Sequence, residues 1–353
     1  MTNRLRWGLL AAGSIAGKLA SAIERSQSSE VVAVGSRSQD AAEQFGDRYG
    51  IRSRYGSYEE LLADEDVEIV YISTPHPMHA EWAIRAADAG KHILCEKPLT
   101  INHQQAVAVI DAARRNDVFL MEAFAYRTHP HTRRLVELVS SGAIGRLCAI
   151  QVSFGFDEDL STVPRLTDHS LGGGGILDVG CYCTSMSRLL AGAAVEAPFA
   201  SPLTVKGSGY LDPTDRVDHY AAGTLEFPDG VIAQIACSIR LVQENVVRVY
   251  GRDGQIVVPR PLWLPPYPEE PGELSLHLHH RGEPEPTEIV VEADAGLFTL
   301  QVENVAEFID ARQSPAMSWE DTLDNMKTLD RWRKSFGFTY DFEEPATAGD
   351  DGG

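Results

Sequence analysis

The sequence predicts an α/β protein of two domains: first a parallel sheet covered by helices, then an α+β domain on a large, open, mainly antiparallel sheet. Three observations predict it. With 353 residues the chain exceeds the roughly 100 to 200 that a single domain usually holds. Its first 123 residues alternate short β-branched runs with helical periodicity, the pattern of strands joined by right-handed crossovers. After residue 148 short strands separated by turn residues take over. The expected divisions are 1–123, 124–336 and an acidic tail at 337–353.

Parallel strands are expected at Arg6–Leu10, Val31–Gly35, Ile69–Ser73, His92–Cys95 and Phe119–Glu122, each a short apolar run. Helices fall between them at Ile15–Glu24, Ala41–Tyr49, Ser57–Ala63, Met78–Ala89 and Gln104–Asn116. The third opens on a Ser57-Tyr58-Glu59-Glu60 capping box, in which two side chains satisfy free backbone N–H groups. A bridging helix at Thr132–Ser141 leads to strands at Cys148–Phe156, Leu203–Tyr210, Tyr220–Phe227, Val231–Ser238 and Val246–Tyr250, with Phe227-Pro228-Asp229-Gly230 as a turn. Pro259–Pro286, rich in proline, reads as loop. Helices at Leu300–Arg312 and Trp319–Phe336 complete the fold, and Asp341–Gly353, with five acids and no Lys or Arg, reads as a frayed end.

Composition excludes several classes. A hydrophobic fraction of 43% and a charged fraction of 23% suit a soluble globular enzyme, and no apolar run approaches the roughly 18 residues of a bilayer span. A net charge of -20 repels nucleic acid and anionic membranes, so neither is an expected partner. The five cysteines, Cys95, Cys148, Cys181, Cys183 and Cys237, lie in apolar segments and form no CxxC pair. They read as reduced thiols of a cytoplasmic protein, without a structural metal. Residues 1–7 carry no apolar stretch of the secretory kind. His277, His279 and His280 lack accompanying carboxylates and are not taken as a metal site.

The chemistry is concentrated at strand ends. Ala11-Ala12-Gly13-Ser14-Ile15-Ala16 follows the first strand where a Rossmann G-x-G-x-x-G/A fingerprint belongs. There Gly13 lets a pyrophosphate approach the backbone, and the first turn, with Ser14 and Ile15, offers it free N–H groups. Ala11 replaces the first glycine and is tolerable only at negative φ. After the second strand, Ser36-Arg37-Ser38 stands where NAD enzymes carry an acid for the ribose 2′-hydroxyl. A guanidinium and two hydroxyls instead suit a 2′-phosphate, which points to NADP, with NAD possible. Cys95-Glu96-Lys97-Pro98 ends the fourth strand, at the edge where open α/β sheets bind ligands. In Gly172–Gly175 the backbone is bare enough to meet a ligand, and Asp178 and Tyr182 are one helical turn apart.

Glu96-Lys97-Pro98, with Ser73-Thr74-Pro75-His76-Pro77-Met78-His79, Met121-Glu122-Ala123-Phe124, Tyr126-Arg127-Thr128-His129-Pro130 and Gly172-Gly-Gly-Gly-Ile-Leu-Asp178-Val-Gly-Cys-Tyr182, resembles the Gfo/Idh/MocA oxidoreductases, especially the branch of dihydrodiol dehydrogenases and NADP-dependent aldose (D-xylose) dehydrogenases. The resemblance runs from about Leu5 to Phe336. It implies that Lys97 is the catalytic lysine, often followed by a cis prolyl bond, and that Asp178 and Tyr182 complete the catalytic set. It places Thr74, His76, His79, Glu96, Lys97 and Arg127 with the cofactor, and Arg165 with the substrate, beside which Phe154, Lys97, Asp178 and Tyr182 are also expected. Ala125 departs from the bulky aromatic of the diol enzymes, leaves more room, and turns the expectation toward a sugar or polyol.

Hydride transfer from a carbinol requires removal of the hydroxyl proton, and a placed base contributes about 10² to 10⁴ in rate. Tyr182 and Lys97 are expected to handle that proton, oriented by Asp178. Near a bound cofactor cation, burial and like charge would lower Lys97, and a nearby lysine would make Tyr182 more acidic; which of the two accepts is open. The leading expectation is an NADP-dependent dehydrogenase or reductase acting on a sugar or polyol, with a trans-dihydrodiol as the alternative substrate. Two other classes stand beside it: a redox-neutral, NAD(P)-retaining glycosidase-like enzyme, which would hold its cofactor through purification, and a non-catalytic NADP-binding regulator, which would lack the lysine and acid. A homodimer or homotetramer is expected, because an open sheet face calls for a partner.

The cofactor reading makes a direct prediction. Arg37→Ala should weaken NADP binding by roughly 10- to 100-fold, the worth of a charge-assisted bond, and barely change NAD. Titration of both dinucleotides checks it, and equal loss for both would remove the phosphate assignment.

Overall fold

A computed structural model describes residues 4–157 and 163–343. The start at Met1–Asn3, part of the expected pocket loop at 158–162 and the tail at 344–353 lie outside the described residues.

In the first domain the chain forms β1 (Leu5–Leu10), α1 (Ser14–Arg25), β2 (Ser29–Gly35), α2 (Gln39–Tyr49), β3 (Ser53–Tyr55), α3 (Tyr58–Ala63), β4 (Ile69–Ile72), α4 (His76–Asp88), β5 (His92–Cys95), α5 (His103–Arg115) and β6 (Leu120–Glu122). All six strands are parallel, in the order β3-β2-β1-β4-β5-β6. Every residue of β4 is buried, as expected of a strand with helices on both faces. Local capping sets helix boundaries: Ser38, Ser57 and Asn102 accept backbone N–H bonds at the starts of α2, α3 and α5. The order in which successive strands are added reverses between β1 and β4, which opens a crevice at their carboxyl ends. Only β3 was unexpected: three residues without apolar alternation pair with Ala33–Gly35, so sheet pairing rather than propensity makes the strand.

The second domain adds α6 (Pro130–Ser140), β7 (Leu147–Gly155), α7 (Cys181–Ala193), β8 (Thr204–Leu211), β9 (Asp218–Glu226), β10 (Ile232–Ser238), β11 (Val247–Gly251), β12 (Gly254–Val258), β13 (Gly272–His280), β14 (Thr287–Ala293), α8 (Leu297–Phe308) and α9 (Trp319–Lys334). The eight strands run in the order β14-β13-β12-β11-β7-β10-β9-β8, antiparallel except that β7 and β10 are parallel. Helices α6, α7 and α9 pack on one face. Tyr220 and Ile232 are among the exposed side chains of the other.

Two expectations are corrected. Pro259–Pro286 is not all loop: β13 lies within it, and β12 and β14 flank it. Leu274, Leu276 and Leu278 alternate with Ser275, His277 and His279 at period two, a strand signal outweighed in the sequence by the prolines on either side. The start of the expected acidic tail is packed as far as Glu343, while most of the end read as frayed, 344–353, lies outside the described residues. Phe338 and Tyr340 are buried, and the Glu343 carboxylate pairs with the buried Arg333 at 2.6 Å, so aromatic anchors outweigh the acids around them.

Buried charge braces the turn after β6 against α7 and α9 within the second domain, and through Arg333 it reaches the first. Asp321 of α9 accepts from Arg127 at 3.1 Å and Arg188 at 2.6 Å, and Arg188 also reaches Asp324 at 3.0 Å. Arg333 bonds Asp330 at 2.8 Å and the Ile101 carbonyl at 3.1 Å. At the rim, exposed Lys18 and Arg25 of α1 pair with Glu269 and Glu270, in the segment between β12 and β13. Glu122, at the end of β6, accepts the Leu99 N–H at 2.9 Å through one oxygen, and the Thr322 side chain is its other hydrogen-bonding neighbour among the described residues. Burial pushes its carboxyl up to about 7, against the bond from Leu99.

For an acid whose folded pKa is raised, the ionisation penalty is absent below the unfolded value of 4.5, grows as pH rises and is complete above about 7. Glu122→Gln should therefore gain stability relative to the parent between pH 5 and pH 8, by roughly 2 to 3 kcal/mol. Thermal unfolding across that range checks it; a pH-independent difference would show that Glu122 does not titrate there.

Candidate active site

The carboxyl edge of the parallel sheet carries the cofactor-side residues. Gly13 caps α1 without a side chain, a Cβ there would meet nothing within 4 Å, and the first turn contains no acid. The first helical bond runs from Gly17 to Gly13, so the N–H groups of Ser14 and Ile15 have no partner within the helix. Ala11 does not keep negative φ as its tolerance required: it sits at φ 107, a region that favours glycine, while its N–H holds the Gly35 carbonyl. Across the crevice, at the end of β4, the hydroxyls of Ser73 and Thr74 are buried without partners. Beyond β2, Arg37 is exposed and makes no ion pair among the described residues. Ser36 is half-buried, and the Ser38 hydroxyl is engaged as the cap of α2. Free N–H groups, orphaned hydroxyls and an unpaired guanidinium fit a dinucleotide carrying a further phosphate.

Three separate chain segments meet at the other end of the crevice. Lys97, after β5, donates from Nζ to the Asp178 carbonyl at 2.7 Å and lies 5.0 Å from the centre of the Tyr182 ring. Asp178 belongs to a π-helical turn, Ile176–Gly180, that leads into α7. Such wide turns recur at functional sites, and here the main-chain carbonyl is the atom presented to the lysine. The Asp178 carboxylate turns instead to Arg165, at 2.9 Å. His76 leans on the glycine run, its Nδ1 at 3.2 Å from the Gly172 carbonyl. Glu96 accepts from the Tyr71 hydroxyl at 2.5 Å and the Lys97 N–H at 3.2 Å. Phe154 packs edge-on to Tyr182, 5.6 Å between ring centres.

Electrostatics follow from this packing. Burial works against the Asp178 carboxylate, yet the charges of Arg165 and Lys97 hold it down at about 2, so it is ionised at any working pH. Burial opposes the Lys97 ammonium, but Asp178 and Glu96 outweigh it and hold the group above its ordinary value. Burial lowers His76 to about 3, which keeps it neutral. Burial raises Tyr182 well above the ordinary phenol, with the neighbouring Tyr267 and Glu96 adding to it. The expected acidification of Tyr182 is thus reversed, because burial dominates and the tyrosine offers the ammonium its ring face; Lys97, expected to be lowered beside a bound cofactor cation, lies above its ordinary value in the protein by itself, because the acids near it outweigh Arg165.

Other expectations need correction as well. Arg127 is not turned to the cofactor: its guanidinium is buried against Ser185, Asp321 and the Tyr126 hydroxyl, where it anchors the turn after β6. His79 faces the Thr74 and Pro98 carbonyls, at 2.8 and 3.0 Å, and ties two active-site loops together. Asp178 orients Lys97 through its backbone, not its carboxylate. Ala125 is buried, and an aromatic cluster stands near the site, in which Trp263 meets the rings of Tyr126, Phe154 and Tyr182. Trp263 and Tyr267 escaped notice because they sit in the proline-rich segment, and Tyr340, whose hydroxyl donates to the Gly173 carbonyl at 2.6 Å, because it sits in the supposed tail. The Lys97–Pro98 bond is cis, as expected.

A six-stranded parallel domain with a phosphate-ready crevice, joined to a sheet domain that supplies an acid and a tyrosine beside a lysine, defines a two-domain, dinucleotide-linked oxidoreductase. Residues 5–124 match the oxidoreductase family with an NAD-binding Rossmann fold, and residues 132–257 match the GFO/IDH/MocA C-terminal domain. The chain belongs to the Gfo/Idh/MocA oxidoreductase family. It is 38% identical to trans-1,2-dihydrobenzene-1,2-diol dehydrogenase of Mus musculus, over 74% of this chain and 76% of that protein. It is 31% identical to D-xylose 1-dehydrogenase (NADP(+)) 2 of Haloferax volcanii, over 92% and 95%. Among solved structures, a 3-ketoreductase from Actinomadura kijaniata in complex with NADP and TDP-benzene superimposes with a TM-score of 0.82 at 26% identity, covering 95% of this chain and 98% of that one.

The strained Ala11 carries a prediction. Ala11→Gly should raise stability by about 1 kcal/mol, the cost of holding a Cβ in that backbone region. Denaturant unfolding checks it, and a destabilised variant would mean that the alanine methyl contributes more through packing than its backbone strain costs.

Proposed function

We propose that the protein is an NADP-dependent dehydrogenase or reductase that moves a hydride between the cofactor and a hydroxyl or carbonyl of a sugar, polyol or related diol. The observation that carries the reading is the convergence of Lys97, Asp178, Tyr182 and Arg165 at the carboxyl edge of the parallel sheet. NADP, when bound, supplies the hydride acceptor and, oxidised, a positive charge. Ser14, Ile15, Ser73, Thr74 and Arg37 would hold its phosphates and ribose.

Lys97 and Tyr182 carry the proton. Both are protonated in the protein alone, a state suited to donating to a carbonyl oxygen in the reducing direction. In the oxidising direction one of them must first be neutralised as a lysine or ionised as a phenol, which added positive charge nearby favours. The Asp178 carbonyl holds Lys97 in place, and the ionised Asp178 carboxylate holds Arg165, whose half-exposed guanidinium can meet a substrate oxygen. Trp263 and Phe154 present a flat apolar wall. That wall favours a second substrate class, the trans-dihydrodiols, with one ring face to stack; the mouse relative is named for such a substrate. The open face of the eight-stranded sheet supports a homodimer or homotetramer, and the reduced cysteines a cytoplasmic site of action.

A panel of aldoses and trans-dihydrodiols with NADP, read at the NADPH absorbance band, tests the activity and separates the two substrate classes. With the best substrate, Lys97→Met, Asp178→Ala and Tyr182→Phe should lower turnover while NADP binding stays largely intact. The relay residue should lose about 10² to 10⁴ and the other about tenfold or less. Full activity in both the Lys97 and Tyr182 variants would exclude this site as catalytic.

A further inference from the structure

The helical run from Ile176 through α7 starts without a cap of its own. Gly175 precedes it and has no side chain, yet the first N–H groups of a helix require acceptors, and these are buried. Asp218, the first residue of β9 and fully buried, meets one of them: its Oδ2 accepts the Ile176 N–H at 2.7 Å. Its Oδ1 has no hydrogen-bond partner and lies against Gly174, where a Cβ would stand 2.2 Å away. Gly174 itself has φ 115. A glycine is therefore needed at 174 on two grounds, the room taken by the carboxyl and the backbone angle. It also places negative charge at the positive end of the helix.

The turn that Asp218 caps is the turn that presents the catalytic groups. Within it the Asp178 N–H bonds the Gly174 carbonyl at 3.3 Å, and the Asp178 carbonyl receives Lys97. We propose that Asp218 is a positioning residue for the reaction: it caps the helix start from a neighbouring strand and so sets the carbonyl that holds Lys97. This rests on the reading of Lys97 as catalytic. The groups around Asp218 agree with a capping role. Arg333 is the cation within electrostatic reach, Cys237 and Tyr340 are the other titratable neighbours, and burial pushes the carboxyl up to about 7.

Asp218→Ala and Asp218→Asn in the full-length protein test the proposal. Turnover uses D-xylose and trans-1,2-dihydrobenzene-1,2-diol as probes; the rate of Lys97 amine labelling, read by mass spectrometry, needs no substrate. The alanine variant should lower kcat by about 10- to 100-fold, as expected of a misplaced reacting group, change Lys97 labelling at least threefold, and leave NADP affinity within about twofold. The asparagine variant keeps an acceptor for the Ile176 N–H and should restore both readouts most of the way. If the alanine variant does not fold, Asp218→Ser, too short to reach that N–H, takes its place. Unchanged Lys97 labelling in the alanine or serine variant overturns the proposal, as does asparagine performing no better than alanine, or a loss of activity that follows loss of NADP binding. If neither probe is turned over by the parent protein, the labelling still decides the role of Asp218, while the substrate reading fails separately.

Discussion

An ammonium from one domain held by a main-chain carbonyl of the other is the contact on which the site depends. Lys97 projects from the end of a parallel strand, and Asp178 belongs to a helix that rests on a different sheet. Each partner is braced from behind. Glu96 receives the Lys97 N–H, His79 Nδ1 faces the Pro98 carbonyl, and Glu122 receives the Leu99 N–H, so the strand end cannot swing freely. On the other side the π turn aims the carbonyl, and Arg165 occupies the carboxylate that would otherwise compete for the lysine.

That arrangement explains how a protein with a net charge of -20 keeps a cationic centre. The acids nearest Lys97 stabilise its charge while their own environments differ. Burial raises Glu96, whereas Arg165 and Lys97 depress Asp178 despite its burial. Two carboxyls close to one lysine thus hold their protons with very different strength, an asymmetry that arises from neighbours rather than from residue type.

Most of the fold was legible because its signals are local: apolar runs of strand length, helix caps and turn residues. The missed strands, β3 and β12 to β14, have different causes. Ser53–Tyr55 becomes a strand through pairing alone, and the Leu274–Leu278 alternation was masked by prolines that lie outside the strand. Phe338 and Tyr340 were discounted for a similar reason, since acidic composition says nothing about what two aromatics bury. In the site, Lys97, Asp178, Tyr182, His76, Arg165 and Phe154 were nameable from motifs and do converge. The roles of Arg127 and His79 were not, because a motif marks a residue without saying which way its side chain turns. Trp263, Tyr267 and Asp218 come from segments remote in sequence, and only the folded chain brings them to the crevice.

Buried and exposed ion pairs respond differently to dissolved ions. Arg127, Arg188 and Asp321 are shielded from solvent, so dissolved ions reach them weakly. Lys18 with Glu269 and Arg25 with Glu270 are exposed, and such pairs contribute little and are screened readily. Ionic strength therefore acts on the rim and spares the centre. Those rim pairs run from α1 to the segment that bears Trp263 and Tyr267, so what added salt weakens is a minor part of that contact, while the buried cluster keeps its geometry.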